Sequence, residues 1–285
     1  MNALIPRLII GLIFSALIGL LAYRRGSLSR SGILGAVIVG TAIFGFGGWW
    51  WGLVLITFFV TSSLLSHYQE ARKERIAAEK FDKTGKRDIW QALANAGAGA
   101  LIAAATLFVP HDATYALLVA AFVGAMATVN ADTWATEIGV LAPRSPRLIT
   151  TFKPVEPGTS GGVTVQGTLA SLAGAALIGL AAILFMFGEA MLTHKALPID
   201  AIFLLFPVAL GGLAGSLFDS LLGATVQAIY YSPYRQKETE KVIDPNGQPN
   251  EFKRGWRWLN NDWVNFLSSV VGAVVAAGLW QAFGG

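Results

Sequence analysis

Long apolar runs alternate with short polar ones along this 285-residue chain. A helix that crosses a membrane needs ~20 mainly apolar residues. Eight runs qualify, starting near Ile5, Ser31, Gly48, Ala92, Thr114, Thr164, Ile199 and Trp263. The first is placed like a signal peptide, but its basic flank, Arg24 and Arg25, follows the apolar run and no small-residue cleavage site is apparent, so it is kept as a span. The pattern predicts an all-α integral membrane protein: one polytopic bundle of about eight transmembrane helices over residues 1–285, with longer polar connections at 67–91, 143–163 and 232–262. In the first connection, EARKERIAAEK reads as a helical extension of the third span ending at Gly85. In the last, a DPNG turn between KETEKVI and QPNEFK suits a small hairpin.

Composition removes the soluble alternative, because 54% of the residues are hydrophobic and only 13% charged, against about 25% charged in an average soluble domain. A net charge of +4 implies no nucleic-acid partner. Where the bases fall says more. Of the 21 Lys and Arg residues, 19 fill the odd-numbered loops and only Arg7 and Lys195 fall on the other side. The positive-inside rule then puts both termini outside and the odd loops in the cytoplasm. Trp49, Trp50 and Trp51 at one end, and Trp256, Trp258 and Trp263 at the other, read as interfacial belt residues. The chain has no cysteine, which excludes disulfides and thiolate metal sites. His67, His111 and His194 lack ligand spacing.

With that orientation, the polar motifs gather at the cytoplasmic ends of the spans. GAMATVNADTWATEIG, Gly124 to Gly139, places Asn130, Asp132 and Glu137 directly after an apolar run with no base beside them. On one uninterrupted helix Asp132 lies about 160° from Asn130 and about 140° from Glu137, so the two carboxylates cannot share one ligand without a bend. Asp219 sits late in the seventh span, within GGLAGSLFDSLLGATVQ, which closes on Gln227. Its stripe of Gly212, Gly215, Ser216 and Gly223 allows either close helix packing or close approach of a ligand. Carboxylates at such depth suggest function. Arg87, Gln91 and Asn95, spaced by four in GKRDIWQALANAG, share a face suited to phosphate oxygens, although Arg87 alone would also serve as a headgroup anchor. In FKPVEPGTSGGVTVQGT, Lys153 supplies charge and the amides around Ser160, Gly161 and Gly162 resemble an anion nest; no P-loop sequence is present. In LNNDWVNFLSS, an N-cap accounts for Asn261 or Asp262 but not for Asn265 inside the span.

Carboxylates, amides and scattered bases without Cys or a His cluster suit Mg²⁺ and polyphosphate, with Asp132, Asp219 and Asp262 as candidate ligands. Nucleotide would approach from the cytosol, and a lipid acceptor laterally between helices.

ADTWATEIG, the PGTSGGVT segment, GSLFDSLLGAT, NNDWVNFLSS and GKRDIWQALANAG together resemble the integral membrane family that includes plant chloroplast phytyl-phosphate kinase and animal transmembrane protein 19. The similarity runs from roughly the third span to the end. It implies a CTP-favouring, Mg²⁺-dependent kinase that converts an isoprenyl monophosphate, such as phytyl or geranylgeranyl phosphate, to the diphosphate. It also implies that Asp132, Glu137, Asp219 and Asp262 lie at the nucleotide and metal site, with Lys153, Ser160, Gly161 and Gly162 around phosphate. Many of the family carry paired cysteines in the loop before NND; this chain has DPNG there, so no zinc site is implied. Two readings stay open beside the kinase: nucleotidyl transfer to a lipid phosphate, and transport of an anion or lipid phosphate. A homodimer is also left open. Motifs toward one face and the lack of an internal repeat count against transport.

Overall fold

The computed structural model describes residues 4–77, 86–110, 113–244 and 246–283. Eight helices in it are long and apolar enough to cross a membrane, matching the expected spans one for one. In chain order the helices are α1 (Leu4–Arg24), α2 (Arg30–Ala42), α3 (Trp49–His67), a short α4 (Glu70–Ala77), α5 (Ile89–Ala105), α6 (Ala113–Gly139), α7 (Val165–Leu192), α8 (Leu205–Thr225) and α9 (Asn261–Phe283). A π-helical turn, Ile43–Gly47, joins α2 to α3.

The bundle is built around α6. Its apolar window is 67% buried, against 17% for α1, whose large apolar side chains face outward as those of a lipid-exposed helix do. Around α6 stand α3, α7, α8, α9 and α5, in that order, each packed on the next. Small residues permit this closeness: a Cβ on Gly215 of α8 would lie 2.8 Å from the Ser268 carbonyl of α9, and one on Gly124 of α6 2.8 Å from that of Gly272. The glycine stripe of the seventh span is therefore a true packing seam.

The ring does not close. Both α3 and α5 lie against α6 but scarcely touch one another. At one face the π-helical turn fills the gap, touching both helices, with Thr106 Oγ1 donating to the Phe46 carbonyl at 3.5 Å. At the other face, which carries the long loops, no helix fills it among the described residues.

Two sheets order those loops. Strands β1 (Arg147–Leu148) and β2 (Gly162–Val163) pair antiparallel and clamp the glycine-rich loop. Strands β3 (Ile229–Ser232), β4 (Lys237–Thr239) and β5 (Glu251–Arg254) form a second sheet in the order β4-β3-β5. The expected small hairpin is present: Ile243 and Pro249 form an antiparallel bridge across DPNG, with Asp244 N donating to Gln248 O and Asn250 N to Val242 O, both at 2.8 Å. A further hairpin joins β3 to β4 across Ser232 to Lys237, while β4 and β5 themselves lie on opposite edges of β3. The β-favouring IYYS segment takes the centre. DPNG itself turns, with Gly247 N donating to Asp244 O at 2.8 Å; Pro245 lies outside the described residues.

One correction concerns the extension of the third span. It breaks at Tyr68, whose backbone is extended, and at Gln69, with φ of 51°, so α4 is a separate helix. Lys73 folds back to donate to the Leu65 and Ser66 carbonyls at 2.5 and 3.0 Å, capping α3 in place of further helix. The end expected at Gly85, and His111, fall outside the described residues.

Candidate active site

Where α3, α6 and α8 end and α5, α7 and α9 begin, a cavity of ≈ 360 Å³ opens at the loop-rich face. The glycine-rich loop roofs it. Gly161, with φ of 82°, rests on the end of α8, where a Cβ would lie 2.5 Å from the Ala224 amide nitrogen. Only glycine holds both that backbone and that contact.

One side of the cavity is acidic. Asp132 and Asp219, from adjacent helices, are within electrostatic reach of each other and of Glu240, which follows β4. Ser216 Oγ is 3.5 Å from Asp132 Oδ1. Glu240 Oε1 accepts from Ser160 Oγ at 2.7 Å and from Gln227 Nε2 at 2.9 Å, so loop, helix end and sheet meet on one carboxylate. Asp219 Oδ2 is buried without a hydrogen-bond partner. A buried carboxylate oxygen left so is costly unless a proton or cation meets it.

The other side is basic. The Arg87 backbone is clamped to the loop between α1 and α2, donating to Ser27 O at 3.1 Å and accepting from Ser29 N at 2.9 Å. Its guanidinium carbon sits 5.6 Å from the ring centre of Phe58 and 5.7 Å from that of Phe59. Nη1 is buried without a hydrogen-bond partner. Burial lowers this guanidinium to about 10, against the charge of Glu137, and it stays cationic at neutral pH. Glu137 itself is taken: Lys73 Nζ lies 2.5 Å from Oε2, and Ser66 Oγ donates to Oε1 at 2.6 Å. Because α6 runs unbroken to Gly139, Asp132 and Glu137 face different partners, as the helical angles require.

Polar side chains complete the wall. Gln91, Asn95, Asn261, Asn265, Ser160, Gly161 and Gly162 all line the cavity. Gln91 has a further duty, closing a capping box in which its Oε1 accepts from Asp88 N at 3.0 Å and its backbone N–H donates to Asp88 Oδ1 at 2.9 Å.

Three expected residues are not brought to the wall. Asn130 is fully buried within the bundle; its Oδ1 accepts from Thr61 at 2.9 Å and its Nδ2 donates to Gly174 O at 2.8 Å, tying α3 and α7 to α6. Lys153 is exposed on the loop between β1 and β2, and Asp262, in the first turn of α9, is not among the residues lining the cavity, whereas Asn261 and Asn265 are. The nest expected of the loop is also reduced, since the Gly162 amide already donates to Thr159 O at 2.9 Å. Conversely, Glu240 and Lys73, each within a charged stretch, KETEK and EARKER, line the cavity without being marked by the sequence. Their long spacing from Ser160 and Glu137 carries no periodic signal.

Among the described residues no cluster of three acidic or imidazole groups is spaced to hold a metal. Asp132 and Asp219 alone supply a pair, which suits a cation completing its shell with phosphate and water.

The profile of the integral membrane protein DUF92 family matches residues 13–273. The chain is 38% identical to Protein PGR of Arabidopsis thaliana, over 92% of each chain. It is 30% identical to an uncharacterised membrane protein of Methanocaldococcus jannaschii, over 94% of this chain and 92% of that one. To the chloroplastic protein VTE6 of Arabidopsis thaliana it is 28% identical, over 90% of this chain and 66% of that one. No solved structure matches. By the extent of these matches, the chain is a member of the integral membrane protein DUF92 family.

Proposed function

We propose that the protein is a lipid kinase that moves the terminal phosphoryl group of a nucleotide, CTP favoured, onto an isoprenyl monophosphate and releases the isoprenyl diphosphate. The observation that carries this reading is one cavity with the buried, unpartnered Asp219 oxygen on one side and the buried, unpartnered Arg87 nitrogen on the other. The motif resemblance to phytyl-phosphate kinase and the similarity to the chloroplastic VTE6 protein support it.

In the reaction, an oxygen of the lipid monophosphate attacks the terminal phosphorus, and the bond from that phosphorus to the bridging oxygen breaks, leaving a nucleoside diphosphate. The attacking oxygen is already anionic, so no general base is required. Catalysis is then positioning and charge neutralisation. Asp132 and Asp219 fit Mg²⁺, which when bound would neutralise phosphate oxygens. Arg87 binds phosphate, with Gln91 and Asn95 from the same face of α5 beside it. Glu240 fixes Ser160 and Gln227, and with them the loop that roofs the cavity. The site faces the cytosol in this reading, where nucleotide is supplied.

Purified protein with Mg²⁺, a C20 isoprenyl monophosphate and CTP labelled at the α or the γ position tests this. Label reaching the lipid from the γ position is expected. Label from the α position only would replace the kinase with a nucleotidyltransferase. Movement of the lipid phosphate across liposomes with no nucleotide consumed would replace it with a transporter.

A further inference from the structure

We infer that the breach between α3 and α5 is the lateral portal for the isoprenyl chain, and that Arg87 at its rim selects a phosphorylated lipid over the free alcohol. This rests on the phosphoryl-transfer reading above. It assigns which of the two phosphates Arg87 holds and by what route that phosphate arrives.

Among the described residues, the ring of helices around α6 is continuous except between α3 and α5, and the π-helical turn fills that gap at only one face. Arg87 stands at the other. Phe58 lies nine residues before the end of α3, about 13 Å along the helix. A guanidinium 5.6 Å from that ring therefore stands below the loops, against the wall of α3 that borders the gap.

The charges separate the two substrates. Those acting on Asp219 are Asp132 and Glu240, whereas the charge acting on Arg87 is Glu137, about 140° around α6 from Asp132. Glu137 is neutralised by Lys73. Arg87 is thus a buried cation whose nearest carboxylate is already paired, beside two phenyl rings and at an opening toward lipid. An isoprenyl monophosphate supplies what is missing there: an anionic head for the guanidinium and an apolar chain for the gap. An isoprenyl alcohol leaves the guanidinium unpaired and is selected against on that ground.

Binding of geranylgeranyl monophosphate and of geranylgeraniol to the purified protein without nucleotide tests the selection. The monophosphate is expected to bind at least tenfold more tightly to the wild type; Arg87→Lys should keep part of that preference and Arg87→Gln none. Equal binding of the two lipids by the wild type, or an undiminished preference in Arg87→Gln, would overturn it. A monophosphate with a diazirine in its first isoprene unit tests the portal and does not depend on any variant folding. Label on α3 or α5 is expected, and label confined to α7, α8 and α9 would refute the route. If preference and labelling hold while no nucleotide donates to the lipid, the kinase reading falls and the portal stands. If transfer occurs and Arg87→Gln catalyses it with unchanged KM for the lipid, the portal assignment alone falls.

Discussion

Asp219 and Asn130 are both polar residues deep in apolar helices, yet they serve opposite ends. Asn130 has both halves of its amide satisfied within the bundle, so Asn130→Ala is expected to cost about 1 kcal/mol of stability, read as a lowered melting temperature with kcat retained in the folded fraction. Asp219 leaves one oxygen unmet. Asp219→Asn keeps the volume and removes the charge, and should lower kcat by roughly 100-fold or more while size-exclusion behaviour and melting stay near those of the wild type. Arg87 shows the tension between stability and function most directly. Burial lowers its guanidinium to about 10, well below the ordinary range of an arginine. A cation so depressed by folding opposes the fold in full at every pH below about 10, and the opposition fades as pH rises from there toward the group's unfolded value. Arg87→Met should accordingly raise the melting temperature of the ligand-free protein at pH 7, by roughly 2–4 °C for each kcal/mol relieved, while weakening lipid phosphate binding. A lowered melting temperature would mean that the stacking on Phe58 and Phe59 outweighs the cost of burying the charge.

At the scale of elements, the cavity depends on how loops seat on helix ends. The glycine-rich loop is held by β1–β2 pairing, by Gly161 against the end of α8, and by Ser160 on Glu240. Gly161→Ala meets both a left-handed backbone and the Ala224 amide, so it should lift the loop at a cost of about 1–3 kcal/mol. Faster proteolysis between residues 150 and 162, together with lost turnover, is the expected readout. The eight spans were legible in the sequence because hydropathy reports burial in lipid or protein alike. Asp132, Asp219 and Asn95 were legible because a charge or amide inside an apolar run stands out against its surroundings, and Arg87 because it stands four and eight residues before Gln91 and Asn95 on one helical face. Lys73 and Glu240 were not, since each sits in a charged stretch where one more charge changes nothing, and only the fold-back of α4 and the seating of the second sheet bring them inward. Lys153 failed for the converse reason: a base in a glycine-rich loop matched a phosphate pattern, but the β1–β2 clamp turns it to solvent.

At the scale of the whole molecule, the bundle is asymmetric from face to face. Among the described residues the π-helical turn closes the α3–α5 gap on one side only, and the cavity, Arg87 and both sheets lie at the other. The protein is therefore expected to read a single leaflet. In proteoliposomes of uniform orientation, isoprenyl monophosphate added to the leaflet at the loop-rich face should be consumed directly. The same lipid confined to the opposite leaflet should be turned over no faster than it flips. A lipid scramblase added to such vesicles would then raise the second rate and leave the first unchanged, so one five-residue turn makes the sidedness of the membrane part of the substrate specificity.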